Sequence, residues 1–179
     1  MYVTVFGGAS PRPGQPAYEE ARRLGSLLAK AGHTVLTGGY MGSMDAVSRG
    51  AVEAGGHTIG VTCEEIERWR SSAANAWVKE EWCRNSLADR LTSLMESADA
   101  LLALPGGPGT LTEISLAWNR LLIKSLSPRP LILIGEGWRE VFDLLFKAQS
   151  DYIAEPLHDY LTFVKTVDEA VAKLNGAAQ

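Results

Sequence analysis

Short aliphatic, β-branched runs alternate along the chain with longer segments whose apolar residues recur at helical spacing. Tyr2–Phe6 reads as a first strand. Pro16–Ala31 follows as a helix, with Leu24, Leu27 and Leu28 on one side and Gly32 at its end. Thr34–Thr37 is a second strand, Met44–Ala54 a second helix closed by Gly55 and Gly56, and Thr58–Val61 a third strand. Ala76–Glu80 is read as a fourth strand, and the polar Arg68–Ala74 stretch before it is expected to be mobile. Leu87–Ser97 carries Leu87, Leu91, Leu94 and Met95 at helical spacing. Ala100–Leu104 has the composition of a buried strand, and Leu111–Ile123 is again a helix. Pro130–Ile134, Trp138–Ser150, Leu161–Val164 and Val167–Asn175 complete the alternation.

Such alternation implies an α/β fold in three layers, a parallel sheet with helices on both faces, formed by a single domain over residues 1–179. Right-handed crossovers then bring all strand-to-helix loops to one edge of the sheet, where ligands of such folds bind. Glycines gather at those loops: Gly7 and Gly8 after the first strand, Gly38, Gly39 and Gly42 after the second, and Gly106, Gly107 and Gly109 after Ala100–Leu104. Each cluster alone fits a tight turn. Three at one edge favour a phosphate-binding cleft, because glycine lets main-chain N–H groups face a ligand and a helix N-terminus favours an anion. No lysine follows Gly109, so the P-loop pattern is not met. No G-x-G-x-x-G follows the first strand, so a standard dinucleotide site is not supported either.

Composition narrows the choice. A hydrophobic fraction of 46% and a charged fraction of 21% suit a globular domain, and a net charge of −4 without a basic run argues against nucleic-acid or anionic-membrane binding. Two cysteines, Cys63 and Cys83, make neither a disulfide framework nor a metal cluster and fit a reduced, cytoplasmic compartment. The segment MYVTVFGGAS has no signal-peptide pattern, no apolar run is long enough to span a membrane, and no metal constellation is visible.

Two charged residues stand out. Glu113 closes a T-x-x-E spacing with Thr110, the pattern of a helix capping box, which recurs at Thr62–Glu65 and Thr166–Glu169. It also stands one turn into a helix whose N-terminus is an expected anion site. Arg90 lies near the apolar side of its helix, so its head either snorkels to water or enters the cleft to meet a carboxylate. Asp45 reads as a helix N-terminal charge or a polar contact in the second loop, Trp118 as core or dimer packing, and His33 and His57 as turn residues.

Together these residues resemble the Lonely guy (LOG) family of cytokinin-activating phosphoribohydrolases. Its motif P-G-G-x-G-T-x-x-E is met by Pro105, Gly106, Gly107, Gly109, Thr110 and Glu113, and TGGYMGSMDAVSRGAVEAGG is similar to its second glycine-rich loop and following helix. The chain departs from the family in having Leu91 where lysine commonly follows the arginine, and Gly-Gly-Tyr-Met-Gly in place of a longer glycine run. The resemblance implies a Rossmann-like nucleotide-binding fold, a homodimer and no cofactor. The implied activity is hydrolysis of the N-glycosidic bond of an adenine-type nucleoside 5′-monophosphate. It implies Glu113 and Arg90 as catalytic residues, with Gly106, Gly107, Gly109, Thr110, Gly8, Ser10 and Gly39 around the phosphate and nucleotide. Relatives of this fold that bind a nucleotide or the molybdenum cofactor without hydrolysis are the alternative.

Overall fold

In the computed structural model, which describes residues 1–70 and 73–176, the strand propensities and amphipathic helices assemble into seven parallel strands and the helices that join them. In chain order the elements are β1 (Tyr2–Phe6), α1 (Pro16–Lys30), β2 (Thr34–Thr37), α2 (Ser43–Glu53), β3 (Thr58–Cys63), α3 (Glu64–Arg70), β4 (Glu80–Arg84) and α4 (Leu87–Glu96). There follow β5 (Ala100–Ala103), α5 (Pro108–Leu122), β6 (Leu131–Ile134), α6 (Glu136–Ala148), a 3-10 turn over Glu155–Tyr160, β7 (Thr162–Val164) and α7 (Val167–Gly176). Among these residues no helix is long and apolar enough to cross a membrane.

The strand order is β4-β3-β2-β1-β5-β6-β7. The chain therefore works outward from β1 to β4, then crosses back to β5 on the other side of β1. That reversal opens a crevice at the carboxyl ends of β1 and β5, the position where open parallel sheets bind ligands. Both faces of the sheet are covered, as its aliphatic strands require. Val3, Val5, Val35 and Leu102 pack against Leu24 and Leu28 of α1, Val47 of α2 and Val171 of α7. On the opposite face Leu36, Ile59, Leu101 and Leu133 meet Leu94 and Met95 of α4, Ile114 of α5 and Phe142 of α6.

Most boundaries shift by one to three residues from the sequence reading, and three differences bear on the site. The fourth strand is Glu80–Arg84 and not Ala76–Glu80, because Val78 packs over Gly60 and pairing with β3 begins at Glu80. Of the stretch expected to be mobile, Arg68–Arg70 complete α3, and Ser71 and Ser72 lie outside the described residues. Helix α5 begins at Pro108 and not at Leu111: proline supplies a helical φ and needs no N–H partner at the first position.

Glycine also sets how closely helices pack. A Cβ at Gly25 of α1 would lie 2.0 Å from the Val47 carbonyl oxygen, and one at Gly50 of α2 would lie 1.8 Å from that of Arg22. The obstructing atoms are backbone, so only separation of the two helices could admit a methyl group. Gly50→Ala is expected to lower stability by about 1–3 kcal/mol, seen as a lower urea midpoint at an unchanged m-value. An unchanged midpoint would show that the helices can part freely.

Candidate functional site

The crevice is a cavity of about 600 Å³ at the carboxyl ends of the central strands. Its floor is built by main chain. The Gly8 N–H donates to the Pro105 carbonyl at 3.2 Å and the Gly8 carbonyl accepts from Ser43 N–H at 2.9 Å, so one glycine ties together the ends of β1 and β5 and the start of α2. Gly8, Ser10, Gly107, Gly109 and Thr110 all line the cavity. At α5, Gly107 is the N-cap and no side chain caps the helix. The amides of Gly109 and Thr110 therefore stay available to a ligand, with the positive end of the helix dipole behind them.

The capping box expected at Thr110 and Glu113 does not form. With Pro108 as the first helical residue, Thr110 is already inside the helix and Glu113 stands in the second turn. Its carboxylate turns towards Arg90 instead. Thr62 likewise donates to Glu81 at 2.6 Å, and Glu65 accepts from the Leu87 N–H at 2.8 Å. Only at Thr166 does the hydroxyl take up the Glu169 N–H, at 3.2 Å.

Arg90 enters the cleft, which decides between the two readings of its sequence position. Its side chain is 6% exposed. Nε donates to the Val61 carbonyl at 2.7 Å and Nη2 to the Gly38 carbonyl at 3.1 Å, both just past the last β2–β3 pair, Thr37 with Gly60. The guanidinium also lies 5.6 Å from the centre of the Tyr40 ring, whose hydroxyl bridges the Cys63 N–H and carbonyl. A Cβ at Gly38 would stand 1.9 Å from Nη2, so this glycine makes room for the guanidinium. Gly39, with φ +79°, packs on Thr62 and Gly60, and Gly106 lies beneath Thr110. Neither Gly39 nor Gly106 lines the cavity; both support its wall from behind.

Arg90 Nη1 lies 3.9 Å from Glu113 Oε1, an ion pair too long for a direct hydrogen bond, and the glutamate side chain is 12% exposed. Burial pushes the Glu113 carboxyl up to about 7, and the arginine only partly offsets this. The result is a carboxyl group able to gain or lose a proton near neutral pH.

Sequence reasoning missed several residues of the site. Asn75 holds the loop after β2 through the Gly39 and Tyr40 carbonyls, at 2.9 and 2.8 Å, and Tyr40 itself supports Arg90. Ile66 and Trp69 of α3 line the cavity, but a seven-residue helix is too short to show a period. Asp45 lies outside the cavity lining and accepts a hydrogen bond from the Tyr18 hydroxyl across the α1–α2 contact. Trp118 is packed edge-on to Phe142 and Phe146, each at 5.9 Å. Among the described residues no group of three or more His, Cys, Asp or Glu side chains is placed to hold a metal ion.

Comparison with known proteins adds an independent line. The family described as SLOG cluster4 matches residues 1–143. A cytokinin riboside 5′-monophosphate phosphoribohydrolase of Mycobacterium tuberculosis is 32% identical over 175 residues, covering 94% of this chain and 90% of that protein. Among solved structures, the molybdenum cofactor carrier protein of Chlamydomonas reinhardtii superposes with a TM-score of 0.74 at 26% identity, over 99% of this chain and 98% of that one. The molybdenum cofactor binding protein of Rippkaea orientalis gives 0.76 at 23% identity, over 99% and 97%.

The Glu113 carboxyl links the site to stability. In the fold it holds its proton up to about 7, against an ordinary value of 4.5 in the open chain. Its contribution to stability is therefore complete below about 4.5 and is lost as pH rises through about 7, an effect of about 3 kcal/mol at most. Glu113→Gln removes the titration. Relative to the parent it is expected to be stabilised at pH 8 and not at pH 4, measured by urea midpoints. The same offset at both pH values would refute a raised carboxyl.

Proposed function

Because the chain belongs to the Lonely guy family and matches SLOG cluster4 over most of its length, we propose that it hydrolyses adenine-type nucleoside 5′-monophosphates at the N-glycosidic bond, giving free base and ribose 5-phosphate. The observation that carries this reading is Glu113, a buried carboxyl with a raised pKa held beside Arg90 and one turn beyond an open helix N-terminus. A site that only held a phosphate would gain nothing from a carboxylate there, since the two repel.

In this reading the 5′-phosphate binds the amides of Gly109 and Thr110, and the ribose lies over Glu113. As the bond from C1′ to the base nitrogen lengthens, its electron pair leaves with the base and positive charge builds on the sugar, which the carboxylate stabilises. Water adds to C1′ and gives its proton to Glu113, a base suited to that task at neutral pH, while the departing base nitrogen takes up a proton from solvent. Arg90 stays protonated, so it donates no proton to the leaving base. Its role is to keep Glu113 oriented and to hold a ribose or phosphate oxygen.

The structural likeness to molybdenum cofactor carriers supports a second reading, binding without turnover, and one assay separates the two. AMP or an N6-substituted AMP is expected to yield base and ribose 5-phosphate by chromatography, with adenosine reacting poorly. Glu113→Gln is expected to fall by roughly two orders of magnitude or more. Activity should rise with pH through about 7 as the carboxylate forms. Equal rates for Glu113→Gln and parent would remove Glu113 from the chemistry, and equal turnover of adenosine and AMP would remove the phosphate anchor.

We infer further that two copies pair through α4 and α5, where Leu111 and Ile123 remain exposed. Light scattering at micromolar concentration is expected to give a dimer or a multiple of it, and a monomer would refute the pairing.

A further inference from the structure

The cavity lining is of three kinds: main chain and a hydroxyl from Gly8, Gly107, Gly109 and Thr110, the charged pair Arg90 and Glu113, and apolar side chains that include Met44, Ile66, Trp69 and Leu87. A nucleoside monophosphate carries three matching kinds of group, a phosphate, a ribose and a flat aromatic base.

Trp69 is the most exposed of those four apolar side chains, whereas the other tryptophans, Trp77, Trp82, Trp118 and Trp138, are buried or half-buried. Trp69 is 76% exposed, yet it borders the cavity. Ile66 stands three residues earlier on α3, hence on the same side of the helix. The helix is also well anchored. It follows β3 without a linker, and the Glu65 carboxylate accepts the Leu87 N–H at 2.8 Å, tying α3 to the first turn of α4, the helix that bears Arg90. The indole is thus tied through α3 and α4 to the helix that carries Arg90.

We propose that Trp69, with Ile66 beside it, is the platform on which the base of the nucleotide stacks, so that α3 sets the affinity for the base. The proposal rests on the nucleotide reading of the site given above. Stacking engages the face of a ring and not its edge, so it serves adenine and guanine alike. It contributes nothing to a ligand that has phosphate and ribose but no base.

Trp69→Ala and Trp69→Phe are compared with the parent in turnover of AMP and GMP and in inhibition by ribose 5-phosphate. In Trp69→Ala the KM for both nucleotides is expected to rise roughly tenfold or more with kcat little changed. Inhibition by ribose 5-phosphate should be unaltered, and Trp69→Phe should recover most of the loss. An unchanged KM overturns the proposal while leaving hydrolysis standing. A parallel loss of affinity for ribose 5-phosphate also overturns it, because the effect would then be a general disturbance of the pocket. Should the parent turn over neither nucleotide, the same ligands are titrated calorimetrically. AMP binding that weakens in Trp69→Ala, with ribose 5-phosphate binding unchanged, upholds the platform although the hydrolytic reading has fallen. Absence of AMP binding to the parent overturns both.

Discussion

A guanidinium taken out of water needs acceptors for its N–H groups, and the placement of Arg90 meets that need with the carbonyl oxygens of Val61 and Gly38, just beyond the last pair of the β2–β3 ladder. These are main-chain groups left over where the ladder stops, so the sheet itself provides the seat. The surroundings follow from this constraint. Residue 38 has no Cβ because the guanidinium occupies that space. Tyr40 lies against the cation and is held by both polar groups of the Cys63 backbone. Glu113 meets a cation already engaged elsewhere, which is why it is only partly stabilised as a carboxylate and burial dominates its pKa.

The glycines divide into two kinds of work. Gly107 and Gly109 leave the start of α5 open towards the cavity, with no Cβ contact of their own within 4 Å. Gly8, Gly38, Gly39, Gly42 and Gly106 allow chain segments to approach each other: Gly42, at φ +73°, brings its α-carbon so near Ala9 that a Cβ would stand 2.6 Å from that residue's α-carbon. Such a floor is common ground for a hydrolase and for a carrier. Beside that floor stands a buried carboxyl, Glu113, paired with Arg90.

The layered α/β architecture was legible in the sequence because strand and helix periodicities differ and the alternation is regular. The shared edge of the glycine clusters followed from crossover handedness alone. The motif around Pro105 and Glu113 pointed to a loop and helix that line the cavity. It misled on capping, because T-x-x-E spacing carries no information about where a preceding Pro-Gly pair starts the helix. Helix α3 escaped notice because two turns leave too few apolar positions to define a face, and the fourth strand was misplaced because its start depends on Val78 packing against a glycine of another strand. The location of Arg90 was open on helical spacing alone. Only the tertiary structure brings the Val61 and Gly38 carbonyls to it.

The central position of β1 has a consequence for how the molecule comes into being. One of its edges pairs with β2 a short distance along the chain, while the other pairs Val3 with Ala100 and Phe6 with Ala103. On a ribosome, that second edge waits on the order of 5 to 20 s for its partner to be synthesised. Until then four consecutive strands can associate as half a sheet, with an apolar central strand as its open border and no floor to the cleft, since the Pro105 carbonyl that receives Gly8 does not yet exist. The nascent half-protein therefore has an adhesive edge and no ligand site. Both conditions end with the same event, the docking of β5.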